Sequence, residues 1–500
     1  MRASHLAGLL DSGVHEARLF AWLAVALIVV RTITFVVVEG IVFNSDEALY
    51  GLMAKHLSEF RAFPLFSYGE GYQMAVEAWL IAPFFWLLGP SVLAMKIPLV
   101  LLNIAVALTL MRLITRWLQL RPALAFVAVL PFIMPTPVVA ASLMQNSGSA
   151  TGPLLYIPAL WVLRGRPFAF GALLMFGYLH REFTLYALPA LMLVRGLIRP
   201  WWTAARGRRL AWVAGGAALV WGIADLVQRL TAGTSAAVQG EMLMNHTCLV
   251  PAEWPSRLGY ALTSVVPVFT GGVSTPFYDF SIRSAVVTGG FASLAWGLAG
   301  VITIMLVRLV WIWRRAARPA SLGVFLALVG CVAVLAYPFG CNLEVGAPPV
   351  LRYLHLLLFV PVGLVAAFLA RERAFALRAA VVIAFLMWSG VNLADNARVI
   401  WTAYRAPDAN PHRALADFLV EHDIRRARAN FWDAYAVTFL TGERVIVDSR
   451  GPVRIPAYTD LVDAAGKAAA EIRRMPCHGA ATVAGIWCVD APGLGKVQQP

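Results

Sequence analysis

Carboxylates and out-of-place arginines gather in this chain where apolar runs begin and end. Asp46 and Glu47 stand side by side in Asn44-Ser45-Asp46-Glu47-Ala48-Leu49-Tyr50, directly after the first long apolar run. Glu77 opens the next apolar stretch, His180-Arg181-Glu182 divides two short ones, and Arg352-Tyr353 begins a late one. A carboxylate can take the proton from an attacking hydroxyl. An arginine fork can hold a phosphate and stabilise it as it leaves. Together they suit the passage of a sugar from a lipid phosphate to an acceptor hydroxyl. Ionisable groups at membrane depth are expensive, which favours a functional role.

Each residue also has a plainer reading. Ser45 or Asp46 caps a helix, with Glu47 favourable in its first turn. The His180-Arg181-Glu182 triplet is a solvated turn with an internal ion pair. Arg352 snorkels to lipid headgroups. Glu77 pairs with Lys55 or Arg61 and seats two surface helices against each other.

Composition dictates the elements that must position these residues. The 500 residues are 60% hydrophobic and 14% charged, with a mean hydropathy of +0.72. This describes a polytopic α-helical membrane protein, not a string of soluble domains. The net charge of +14 comes mostly from arginines at the ends of apolar runs. That is the positive-inside pattern, and no nucleic-acid face is expected. The first run, from near Leu19, lacks a small-residue cleavage site and reads as a retained span.

Arginine clusters at Arg112/Arg116/Arg121, Arg164/Arg166, 195–209, 308–318 and 371–378 all face the cytoplasm only if residues 75–88 do not cross. That stretch is short, holds Pro83 and carries Glu77 near its start. It therefore reads as a second juxtamembrane helix, beside an amphipathic one after Asp46 marked by Ala48, Leu49, Leu52, Met53, Leu57 and Phe60. Spans are then expected near 19–38, 91–111, 122–141, 151–163, 167–180, 183–197, 210–228, 286–307, 321–338, 350–370 and 379–394, about eleven in all. From about Trp401 the pattern changes to helix 414–420, strand 427–431, helix 432–440 and strand 444–447. Residues 1–398 thus form a transmembrane catalytic domain. Residues 399–500 form a small α/β domain that parity places outside, like Asp46.

None of the five cysteines forms a Cys-x-x-Cys pair. Cys248 with Cys341 and Cys477 with Cys488 can form disulfides outside, or stay free thiols. Cys331 reads as packing within a span, Asn245-His246-Thr247 matches a glycosylation acceptor, and Trp201, Trp202, Trp311 and Trp313 read as interface aromatics. No cofactor is certain; no ligand spacing marks a metal, and a divalent ion stays possible. A transporter or lipid flippase is the alternative class, with Asp225 and Arg229 the nearest candidates for a charged pathway.

Taken together, Ser45-Asp46-Glu47-Ala48-x-Tyr50, Gly69-Glu70-Gly71-Tyr72, Glu77-Ala78, Leu88-Gly89 and Arg352-Tyr353-Leu354 resemble the GT-C superfamily of polyprenyl-phosphate-sugar-dependent glycosyltransferases. The similarity is to the bacterial branch near family 39 and the aminoarabinose and protein mannosyltransferases. The patches 430–435 and 439–445 resemble the outward module of some bacterial members. The resemblance implies an inner-membrane enzyme with a decaprenyl- or undecaprenyl-phosphate sugar donor, inversion at the anomeric carbon, and a glycan, lipid or protein acceptor. It implies Asp46 as the catalytic carboxylate, Arg352 as a donor-phosphate contact and Glu77 in the pocket lining. Glu47, His180, Arg181, Glu182 and Tyr353 are expected to bind donor or substrate. One departure is the stretch Gln145-Asn146-Ser147-Gly148-Ser149, where many members place an acid before the fourth span.

Overall fold

A computed structural model describes residues 2–41, 43–147, 151–196, 205–232, 250–271, 277–278, 283–284, 292–315, 321–340, 345, 350–405, 410–477, 481–492 and 494. Helix α1 (Arg2–Val37) ends where polar residues begin. A short break leads into α2 (Ser45–Ser58). The small antiparallel pair β1 (Phe66–Ser67) and β2 (Glu70–Met74) follows, then α3 (Val76–Leu88). At about 1.5 Å per residue, the 13 residues of α3 reach roughly 20 Å, well short of a hydrocarbon core of about 30 Å. Its last turn exposes Trp86, Leu87 and Leu88, as expected for a helix lying against lipid.

Helix α4 (Val92–Leu118) starts at Ser91, whose hydroxyl caps it by accepting from the Ala94 N–H at 3.2 Å. The expected span at 122–141 is two helices, α5 (Pro122–Ile133) and α6 (Pro137–Ser142). Pro137 lacks an N–H and cannot continue α5, but it fits the first turn of α6. Then come α7 (Thr151–Leu163), α8 (Pro167–His180), a 3-10 turn over Glu182–Tyr186, α9 (Ala187–Gly196) and α10 (Ala205–Ala232). Later helices cover Ala292–Arg315, Ser321–Ala336, Phe359–Arg371 and Phe375–Arg405; a 3-10 helix over Leu351–Leu358 feeds the third.

Seven helices among the described residues are long and apolar enough to cross a membrane. The expected eleven are not reached by length. Residues 122–133, 151–163, 167–180 and 182–194 form apolar helices too short to qualify, because prolines and the charged hinge at 180–182 interrupt them. Cys248, Cys341, Trp201, Trp202 and the Asn245-His246-Thr247 triplet lie outside the described residues. Cys331, expected to pack, is exposed on its helix, a position compatible with lipid contact.

The last helix of the membrane region runs through residue 398 to Arg405. Beyond it, helices Pro411–Glu421, Phe431–Leu440 and Pro456–Ala465 surround a five-stranded mixed sheet. Two further short strands, β3 (Phe277–Tyr278) and β4 (Arg283–Ser284), pair elsewhere. The sheet consists of β5 (Arg426–Ala429), β6 (Ile446–Ser449), β7 (Ala470–Arg474), β8 (Ala481–Val483) and β9 (Trp487–Asp490) in the order β6-β5-β7-β9-β8. Strands β6, β5 and β7 run parallel, as helical crossovers require, and β9 and β8 close the sheet antiparallel. The Cys477–Cys488 disulfide forms at the β7–β9 edge, with a Cα separation of 5.3 Å.

This module shares one apolar core with the first loop. Phe43, Leu52, Met53 and Phe85 pack with Val437, Phe439 and Val447, and Phe439 lies 5.8 Å from the Phe43 ring and 6.0 Å from that of Phe85. Gly51 permits the approach, since a Cβ there would sit 2.6 Å from the Phe439 ring. Gly69 has φ +67° and lies against Arg454, where a Cβ would meet the backbone at 2.8 Å.

Candidate active site at the head of the second helix

Asn44 caps α2, its side chain accepting from the Glu47 N–H at 3.0 Å. The cap is thus neither Ser45 nor Asp46, and Asp46 is spared that duty. Ser45 instead reaches the late module, its hydroxyl accepting from the Ala436 N–H at 3.2 Å. Successive helical residues point about 100° apart, so Asp46 and Glu47 face different surroundings.

Glu47 is fully buried. Its carboxylate accepts from Lys96 Nζ at 2.5 Å, Asn146 Nδ2 at 3.0 Å and the Ser147 N–H at 2.7 Å. Lys96 also donates to the Met144 carbonyl at 2.9 Å. A buried pair with this many supporting bonds fixes local geometry. It pins residues 144–147, where the sequence lacks the expected acid, against the start of α2.

Asp46 retains 20% side-chain exposure and meets Arg352 Nη1 at 3.4 Å. Arg352 stands on the 3-10 helix Leu351–Leu358, also donates to Ser147 Oγ at 3.3 Å, and lies over the Tyr353 ring at 5.4 Å. Among the described residues its Nε has no partner. Arg352 therefore does not simply snorkel. A separation of 3.4 Å is long for a charge-assisted contact, which normally closes to about 2.7–2.9 Å.

The charged hinge is not a solvated turn. His180 and Arg181 are 2% and 1% exposed. His180 Nε2 meets both Glu77 oxygens at 2.9 and 3.0 Å, and Nδ1 meets Tyr156 Oη at 2.9 Å. Arg181 lies 3.5 Å from Glu77 and donates to Tyr50 Oη at 3.0 Å. Glu77 therefore pairs with the hinge and not with Lys55 or Arg61. Glu182 begins the 3-10 turn and is half-buried. Phe183 packs edge-on to Tyr353 at 5.7 Å.

Two expected groups thus meet on α2. Asp46 and Tyr50 are one turn apart on the same helical face, with Arg352 at the first and Arg181 at the second. Lys96 and Tyr156 escaped sequence reasoning, and Tyr50, Asn146 and Ser147 stood in quoted stretches without an assigned role. Only Lys96, a lone cation inside an apolar run, carried a readable signal.

Lys55 and Arg61 turn to Glu443 of the late module. Glu443 accepts from Lys55 at 2.6 Å, from Tyr458 at 2.8 Å and from Arg61, and meets His56 Nε2 at 3.0 Å. Burial alone would raise its carboxyl pKa, but the bonds to His56, Arg61, Lys55 and Tyr458 outweigh that and hold it well below the usual carboxylate range. A cavity of about 740 Å³ opens at this seam, lined by Lys55, Arg61, Tyr68, Arg454 and Tyr458. It lies near the opposite end of α2 from Asp46.

Among the described residues no three His, Cys, Asp or Glu side chains form a group able to hold a metal ion. Asp46, Glu47 and Glu77 are each engaged by a cation and do not converge.

No family model and no curated protein sequence matches the chain. Solved structures do resemble it. ArnT from Cupriavidus metallidurans bound to undecaprenyl phosphate superposes with a TM-score of 0.63 at 10% identity, over 96% of this chain and 99% of that one. The same protein in the apo state gives 0.54 at 11% identity, over 97% and 98%. The Archaeoglobus fulgidus oligosaccharyltransferase, in complex with Zn and sulfate, gives 0.52 at 11% identity, over 91% of this chain and 68% of that one.

Proposed function

We propose that this chain, which has the GT-C fold shared by those neighbours, is a membrane glycosyltransferase using a polyprenyl-phosphate sugar donor. The observation that carries the reading is the loose Asp46–Arg352 contact at 3.4 Å. A base and a phosphate holder start side by side and can be parted by a substrate. The neighbour holding undecaprenyl phosphate supports the donor class.

In the proposed reaction the donor phosphate takes Arg352 and frees the Asp46 carboxylate. Asp46 accepts the acceptor hydroxyl proton as that oxygen bonds to the anomeric carbon. The bond from carbon to phosphate oxygen breaks, and its electron pair stays with the phosphate. Attack opposite the leaving group inverts the anomeric centre. Glu47 and Lys96 hold residues 144–147 and the head of α2 in place, while Arg181, His180 and Glu77 support the next turn through Tyr50. Transfer takes place on the outer side of a bacterial inner membrane, the side opposite the arginine clusters in the sequence.

The test is transfer of label from a radiolabelled polyprenyl-phosphate sugar in membranes carrying the protein. Asp46→Asn is expected to lower transfer by about 10²–10⁴-fold. A folded Asp46→Asn protein with wild-type transfer would remove Asp46 from the mechanism. No label transfer by the wild type would count against the enzyme and leave the transporter class standing.

A further inference from the structure

Three buried cationic or imidazole side chains linked through residues 142–147, Arg31, His355 and Arg352, each hold a nitrogen without a partner among the described residues. Arg31 lies in the first span, six residues before the end of α1, or roughly 9 Å along the axis. It is 1% exposed. Its Nη2 donates to Asn103 Oδ1 at 2.8 Å, and its guanidinium lies 5.5 Å from the Phe132 ring centre. Among the described residues Nε and Nη1 have no hydrogen-bond partner and no carboxylate is paired with Arg31. The amide of Asn103 is already committed to the Leu99 and Leu143 carbonyls at 2.8 and 3.3 Å.

His355, also 1% exposed, meets Ser142 Oγ through Nε2 at 2.6 Å, and among the described residues its Nδ1 has no partner. It follows Arg352 by three residues on a 3-10 helix, where positions i and i+3 eclipse. Residues 142–147 thus form a spine. Asn103 and His355 grip its lower end, and Glu47, Lys96 and Arg352 its upper end. Each tier leaves a nitrogen unsatisfied. A buried cation without a counter-charge is strongly unfavourable in a span. One anion with several acceptor oxygens would relieve these nitrogens.

Resting on the donor class above, we propose that Arg31 is a second phosphate-holding residue, selective for the doubly charged lipid phosphate monoester that remains after transfer. The donor is a phosphodiester with one negative charge. Cleavage of the sugar–oxygen bond leaves a monoester that carries nearly two charges above its second pKa, about 6. Arg352 matches the first charge, and Arg31 meets the second when the phosphate settles one tier deeper.

The test measures binding of two lipids to the full-length protein in nanodiscs at about pH 5.5 and about pH 8. The probes are undecaprenyl phosphate and a long-chain phosphodiester of single charge. In the wild type, monoester affinity is expected to rise about tenfold across that range, while diester affinity stays flat. Arg31→Gln is expected to abolish the rise and weaken the monoester by about tenfold at pH 8, with diester binding within about threefold. Equal losses for both lipids, or no loss from a folded variant, would overturn the assignment. If Arg31→Gln does not fold, Asn103→Asp supplies the missing carboxylate. It is expected to weaken the monoester selectively, and unchanged monoester binding there would also overturn the role. No wild-type binding of either lipid would sink the polyprenyl-phosphate reading itself.

Discussion

The head of α2 and its tail treat carboxylates in opposite ways. At the tail, Glu443 is surrounded by four side-chain partners, which fill the acceptor sites of its two oxygens. At the head, among the described residues, Asp46 has one long contact and the arginine beside it keeps an Nε without a partner. Saturated polar groups lock a structure, and their bonds are already spent on it. Unsaturated ones tolerate a penalty that a ligand can remove. The contrast separates the seam that assembles the protein from the place where chemistry is proposed, and Glu47 belongs with the first although it adjoins Asp46.

The sharpest break of this comparison sets Glu47 against its neighbour. Glu47→Gln leaves Lys96 buried without its countercharge and is expected to destabilise the fold by about 3–5 kcal/mol. Asp46→Asn is expected to stay within about 0.5 kcal/mol of wild type, read as thermal unfolding in detergent. Equal destabilisation by both would erase the distinction. Next, Glu443→Gln is expected to loosen the seam by about 1–3 kcal/mol, seen as faster proteolysis of the late module. An unchanged digestion pattern would show that the shared apolar core alone holds the module.

A pH titration sharpens the same contrast inside the late module. Burial opposes ionisation of Asp433, but its bonds to His412 and Arg474 prevail and hold its pKa at about 2. Because the folded value is depressed, this stabilisation is complete above the unfolded pKa of about 3.9 and fades as pH falls toward 2. It is worth about 2 kcal/mol. Asp433→Asn is expected to flatten that part of the acid unfolding curve, and an unaltered slope would count against it. The smallest effect belongs to Arg61→Gln, since that side chain is 46% exposed, with a loss of at most about 1 kcal/mol.

Helices were legible in the sequence because hydropathy and punctuation are local. The apolar run before Asp46, the proline-bearing stretch that became α3 and the first two helix–strand units of the late module all follow from neighbouring residues. Pairing was less legible. Glu77 stands 103 positions from His180 and Lys55 stands 388 from Glu443, so the expected Glu77–Lys55 pair had nothing local to correct it. Asp46 and Glu47 are alike in type, and only the turn of a helix sends one inward and the other to an arginine. Three further strands of the sheet were missed: β7 carries charged residues that mask alternation, and β8 is only three residues long.

The contact between Gly51 and Phe439 has a consequence for how the protein is made. The ribosome must add almost four hundred residues after Lys55 before Glu443 exists. At about 5–20 residues per second, that leaves the apolar flank of α2 uncovered for roughly 20–80 s. Nascent chains arrested before Phe431 should therefore be cut by protease within α2, and full-length chains should resist.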